Sequence, residues 1–174
     1  MIWRITNELT DLEIGEDPSV LLAVGELLND SSSIVKKECA NNFTKIPPKK
    51  PLVEAYIQSG VVNKLISVVG QVNLPVEERF NHLLILMRLQ AGASSDQVKT
   101  LADRGFLFVL GLSLKEMNLR MLSVVLVALL KLFRDTKNSK AFVKQFRTLK
   151  LHENLEPLLD HQVEKVKLTA FELI

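Results

Sequence analysis

Apolar positions recur along this chain at helical spacing, and one stretch is apolar almost all round. Leu119 to Phe133, LRMLSVVLVALLKLF, has twelve apolar residues in fifteen. At about 100° per residue its three polar residues, Arg120, Ser123 and Lys131, fall on one narrow stripe. The rest of such a helix must be covered by protein, so the pattern predicts the middle layer of a stack. A bilayer crossing needs roughly 20 apolar residues. This run is shorter and holds two cations, so no membrane span is expected.

The remaining pattern is helical throughout. Met1 to about Leu12 reads as a short helix, and Asp17-Pro18 opens another with Asp17 as N-cap. Its apolar face is Val20, Leu21, Val24, Leu27 and Leu28. Ile34 to about Ile46 follows and is stopped by Pro47-Pro48. Pro51 starts a helix to about Ser59, where Gly60 suits a left-handed corner. Val61 to about Val72, Val76 to Gln90, Asp96 to Asp103 and Phe106 to about Leu114 precede the central helix. Ser139 to about Leu149 and Glu153 to about Leu159 come after it, and Val163 begins a last helix still amphipathic at Ile174. No stretch alternates as a strand would, and no linker is long enough to separate domains.

The pattern repeats. Gly60-Val61-Val62-x-x-Leu65 matches Gly105-Phe106-Leu107-x-x-Leu110 at a spacing of 45, and Lys150-Leu151-His152-x-x-Leu155 continues that frame with Lys150 in place of glycine. Phe43-Thr44-Lys45-Ile46, Leu86-Met87-Arg88-Leu89 and Leu129-Leu130-Lys131-Leu132 recur at 43. Each unit has a short helix, a glycine corner, a medium helix and a long helix, and cannot bury its apolar side without neighbours.

That order and period resemble armadillo repeats, with HEAT repeats as the close relative. The resemblance implies an all-α fold, a right-handed α-solenoid of armadillo-like three-helix repeats over residues 1–174. The units run approximately 1–12 (partial), 13–48, 49–92, 93–135 and 136–174 (incomplete). Both ends fall within apolar helices, so a piece of a longer protein, or ends covered by a partner or a second copy, is expected. In the armadillo family the third helix of each unit lines a concave groove, where a Trp followed four residues later by Asn holds an extended peptide. Trp3 and Asn7 match that spacing and mark a possible end-unit groove. The later third helices depart from it: Leu84 and Val127 replace Trp, and Arg88 and Lys131 replace Asn, with Asn41 and Lys45 at the equivalent positions of the earlier helix. The family's slots for peptide side chains are therefore missing there.

What remains on the third helices is a row on each. Glu77, Asn81, Leu84 and Arg88 share one stripe, Arg120, Ser123, Val127 and Lys131 another, and Lys37, Asn41 and Lys45 a third. Stacked units align Lys45, Arg88 and Lys131 as a basic ladder with steps of about 10 Å. Such a ladder attracts an acidic or carboxylate-ended segment of another protein. The alternative is that these are the solvated edges of buried helices.

Charge adds a second candidate. The chain carries a net +2, but residues 5–30 hold seven acids and no Lys or Arg, while residues 134–150 hold six bases and one acid. Lys137, Lys140, Lys144 and Arg147, spaced 3, 4 and 3, form a basic stripe opposite Phe142, Val143 and Phe146. It suits nucleic-acid phosphates, anionic lipid or the acidic end of a second copy. No aromatic interleaves with the bases, which argues against nucleic acid. The bland reading is a solvated helix face.

Catalytic chemistry finds little support. His82, His152 and His161 form no ligand pattern. His82 reads as a helix-edge residue. Cys39 is the single cysteine, so neither an intrachain disulfide nor a thiolate metal cluster is available, and it reads as a small buried apolar residue. No cofactor, no metal and no catalytic residue is expected. The N-terminus lacks the layout of a secretory leader, and with one cysteine the expected compartment is the cytoplasm or nucleus.

Overall fold

The computed structural model describes residues 18–28, 30–43, 49–116, 118–135 and 137–174, with the side chains of residues 18–22 outside that description. The expected first helix, the Asp17 cap, and the candidate site residues Trp3, Asn7 and Lys45 lie outside the described residues. Among those described there are helices and turns and no strand. The chain divides into two compact units, Met1–Gln97 and Val98–Ile174.

The first unit is built from α1 (Pro18–Leu27), α2 (Ser33–Phe43), α3 (Lys50–Gln58), α4 (Val61–Val69) and α5 (Val76–Gly92). The long helix α5 packs against α2, α3 and α4. Its core residues Leu83, Ile85 and Leu86 meet no solvent, and neither do Val53, Tyr56 and Val62 opposite them. Each such aliphatic side chain contributes about 1.5–3 kcal/mol through burial. Gly60 turns the chain between α3 and α4 at φ 78°, a left-handed conformation that glycine adopts without strain. Helix α4 stops at Val69 rather than Val72. The turn beyond it is held by the buried Arg79 guanidinium, which donates to the carbonyls of Gln71 at 2.8 Å and Val72 at 3.3 Å.

Helix α6 (Ser95–Asp103) opens with a reciprocal cap. Gln97 N–H donates to Ser94 Oγ at 3.3 Å, and Ser94 N–H donates to Gln97 Oε1 at 3.0 Å. Gln97 Nε2 also donates to Lys50 O at 3.0 Å, tying the cap to the start of α3.

The second unit continues with α7 (Phe106–Ser113), α8 (Leu119–Phe133), α9 (Ser139–Thr148), two 3-10 segments (Leu151–Asn154 and Glu156–Asp160) and α10 (Glu164–Phe171). Helix α8 is the central stretch of the sequence, with the predicted bounds. Asn118 caps it by accepting from Met121 N–H at 3.1 Å. It packs against α7, α9 and α10, and Met121, Leu122, Val125, Leu129 and Leu132 are fully buried.

Two expectations change here. The helix expected over Glu153 to Leu159 is a pair of 3-10 segments. Pro157 has no N–H to continue an α-helical ladder, so the chain tightens and still buries Leu151, Leu155 and Leu158. The last helix starts with Val163 as its N-cap and ends at Phe171 rather than running to Ile174.

Candidate functional site

The third helices are positioned by a burial pattern that repeats at 43 residues. Arg79, His82, Leu83, Ile85, Leu86 and Leu89 are buried on α5, and Leu122, Val125, Leu126, Ala128, Leu129 and Leu132 are buried at the corresponding positions of α8. On α2 the frame gives Cys39, Ala40 and Phe43, also buried. What each helix leaves to solvent is the opposite stripe. On α5, Glu77 and Arg88 are exposed while Asn81 and Leu84 are half-buried. On α8, Arg120 and Lys131 are exposed, Val127 is 44% exposed, and Ser123 is half-buried. On α2, Lys37 and Asn41 are exposed. Ser123 Oγ donates to Leu119 O at 2.8 Å, so its proton is engaged within its own helix. Within the first unit, Lys36 and Glu78 make an ion pair at 2.6 Å that ties α2 to α5 one residue from the row.

On α9 the apolar face is buried through Phe142 and Phe146, and Phe146 meets Phe133 edge-on at 5.3 Å. Lys140, Lys144 and Arg147 are exposed on the helix. Lys137 is exposed too, but it precedes the helix. Asp135 Oδ1 accepts from the N–H of Lys137 at 3.0 Å and of Asn138 at 2.7 Å, holding a turn where sequence spacing suggested a fourth helical base.

The histidines and the cysteine stand elsewhere. His82 is not a helix-edge residue: it is 1% exposed, with Nδ1 2.7 Å from Glu78 O and Nε2 3.1 Å from Leu28 O. Both oxygens only accept. A neutral ring donates to one of them, and a doubly protonated ring donates to both. Leu28 O lies just past the end of α1, so His82 caps that helix from another element of the same unit. In the second unit, Asn154 Nδ2 donates to Gly111 O at 3.0 Å near the end of α7.

Cys39 is buried, as its sequence context implied. Burial pushes its thiol up to about 12, which makes it a poor nucleophile. Burial also pushes the Tyr56 hydroxyl up, with the nearby Cys39 adding to the effect. Among the described residues no group of three or more His, Cys, Asp or Glu is placed to hold a metal ion. No single described helix is long and apolar enough to cross a membrane.

No protein-family model matches the chain, and no curated protein matches it. Solved structures do. A designed armadillo repeat protein in complex with the peptide (KR)4 is similar at a TM-score of 0.80 and 18% identity, over 99% of this chain and 72% of that one. Computationally designed armadillo repeat proteins for modular peptide recognition are similar at a TM-score of 0.76 and 17% identity, again over 99% and 72%. Another designed armadillo repeat protein gives 0.73 and 18%, over 93% and 64%. The fold is an armadillo-like α-solenoid.

In the armadillo-like frame, two residues matter that sequence reasoning passed over or left as an anomaly. Ile34 stands at the position of Glu77 and Arg120 and is 73% exposed, adding an apolar side chain to the α2 row. Carrying the 43-residue spacing back to the first turn of α2 would have found it. Lys150 has φ 54°, beside 78° at Gly60 and 107° at Gly105. It therefore makes the glycine corner of the next armadillo-like unit without a glycine.

Proposed function

We propose that this chain is a protein-interaction scaffold whose third helices hold an extended acidic segment of a partner. The observation that carries this reading is the selective exposure of one row on helices otherwise enclosed. Glu77 and Arg88 on α5, and Arg120, Val127 and Lys131 on α8, stay in contact with water while six equivalent positions on each helix are buried. A solvated edge needs no apolar members, yet Ile34 and Val127 are exposed in these rows and Leu84 is partly so. Apolar side chains interspersed with cations suit a peptide that offers both carboxylates and apolar anchors.

The comparison supports the mode, and the row residues of this chain favour the opposite charge. The designed neighbour binds (KR)4, a wholly basic peptide. Here Arg88, Arg120 and Lys131 outnumber Glu77 along the rows, so the complementary peptide is acidic. The role is binding, with no catalytic group assigned.

A displayed library of random peptides tests this. The library should enrich acidic sequences on the wild-type chain. The Arg88→Glu/Lys131→Glu double variant should bind them roughly tenfold or more weakly, a loss of at least ~1.4 kcal/mol. Its helical circular dichroism should be unchanged, because both side chains are exposed. Equal binding by the double variant removes these rows as the peptide site.

A further inference from the structure

Beside α9 lies a groove that the third-helix rows do not use. It is an open groove of about 520 Å3 with a mixed lining. Lys140, Lys144 and Arg147 line it together with the apolar Phe133 and Val143 and the hydroxyl-bearing Ser139 and Thr148. Neither Lys140 nor Lys144 is in an ion pair among the described residues. Next to the groove, and sharing Phe133, Val143 and Arg147 with it, is a cavity of about 290 Å3. Its walls include Phe146 and Leu173, and its polar members are Arg147, His152 and Glu156. His152 Nδ1 is buried there with no hydrogen-bond partner among the described residues.

These features specify an occupant. Lys140 and Lys144, beside an Arg147 that also donates to Ile174 O at 3.4 Å, call for carboxylates. The adjoining apolar cavity calls for a bulky aliphatic side chain, and Glu156 on its wall repels any further carboxylate. An unpartnered ring nitrogen calls for a backbone or side-chain polar group.

The chain itself contains a segment of this description. Residues 8–17, ELTDLEIGED, carry five acids, no base, and the apolar Leu9, Leu12 and Ile14. Its centre, Asp11-Leu12-Glu13-Ile14, alternates acid and apolar. A segment that offers acids and apolar side chains in close succession matches a groove lined by both cations and apolar residues. We propose that the α9 groove receives residues 8–17 of a second copy of this chain, so that copies associate head to tail. The proposal stands apart from the third-helix rows and does not depend on them.

The test uses the full chain and a fluorescent peptide of residues 8–17. The peptide should bind, with anisotropy rising as protein is added and affinity falling steeply with salt. Lys140→Glu/Lys144→Glu, at exposed positions and with unchanged circular dichroism, should weaken binding roughly tenfold. A peptide carrying Leu12→Ser and Ile14→Ser should lose a similar factor, and Lys140→Glu/Lys144→Glu should weaken binding more than Arg88→Glu/Lys131→Glu does, because the third-helix rows also accept acidic peptides. Sedimentation of the wild-type chain should show concentration-dependent oligomers that the Lys140→Glu/Lys144→Glu chain does not form. Absent peptide binding, or equal binding by that variant, overturns the proposal. So does tighter binding of a single-stranded oligonucleotide than of the peptide. A chain that binds the peptide yet stays monomeric at every concentration overturns the assignment to a second copy.

Discussion

Lys150 holds a backbone conformation that L side chains avoid. At φ 54° its Cβ is crowded against its own backbone, a strain of about 1 kcal/mol that Gly60 and Gly105 escape at the two equivalent corners. Lys150→Gly should therefore raise stability by roughly 0.5–1 kcal/mol, read as a higher urea midpoint with unchanged slope. A lowered midpoint would mean that the lysine side chain supplies contacts that outweigh the strain. The corner was legible in the sequence because the 45-residue frame runs through Lys150, although its residue type argued the other way. His82 was not legible. Its place in the core depends on Leu28 O, 54 positions away, and nothing local signals that a ring flanked by Phe80 and Leu83 will be enclosed. Arg79 is similar: it reads as a surface cation, and the carbonyls at Gln71, Val72 and Leu74 that accept from it belong to a turn the local pattern does not show.

Cys39 gives a pH-dependent prediction at the same scale. Its thiol holds its proton more tightly in the folded chain than in the unfolded one, because burial pushes the value up to about 12. Alkali therefore favours unfolding. The contribution is intact below about pH 9 and is lost as pH rises from there towards about 12. Between pH 8 and pH 10 the wild type should lose about 1.4 kcal/mol more than Cys39→Ala, measured by urea titration of each at both values. Equal losses would place the thiol in contact with water.

At the scale of elements, close packing sets the tolerances. Gly111 on α7 has no room for a side chain: a Cβ there would lie 2.7 Å from Leu151 Cδ1 and 2.8 Å from Leu151 Cγ. Leu151 is itself buried at the start of the first 3-10 segment, so it has little space to yield. Gly111→Ala should cost about 1–3 kcal/mol, seen as a lowered thermal midpoint. Gly60→Ala has open space but a left-handed backbone, so it should cost about 1 kcal/mol for a different reason. No change in Gly111→Ala would show that α7 and the 3-10 segment stand further apart. Helix existence and order were legible throughout, since the 3.6-residue period and the Pro and Gly punctuation are local. The 3-10 geometry was not, because Leu151, Leu155 and Leu158 keep a spacing that an α-helix would also bury. Lys137 illustrates the same limit: its spacing suits a helix, and only Asp135 accepting from two successive N–H groups shows a turn.

For the whole molecule, the periodicity that organises the sequence also organises burial. A 43-residue frame matches six buried positions of α5 to six of α8, and the residues it leaves outside are the proposed partner contacts. Sequence reasoning reached these rows because a helix buried on most sides declares its exposed stripe by its few polar residues. It missed Ile34, whose apolar side chain concealed its exposure. The charge distribution adds a second level, with acids concentrated in residues 5–30 and bases in residues 134–150.

The central claim is that the third-helix rows are where a partner peptide lies, and at 19.6 kDa the chain suits residue-resolved NMR. Titrating the labelled protein with the strongest acidic peptide from the library should shift the amide signals of Asn41, Asn81, Leu84, Arg88, Ser123, Val127 and Lys131. Shifts gathered instead on α3, α6 or α9, with these seven unmoved, would contradict the account.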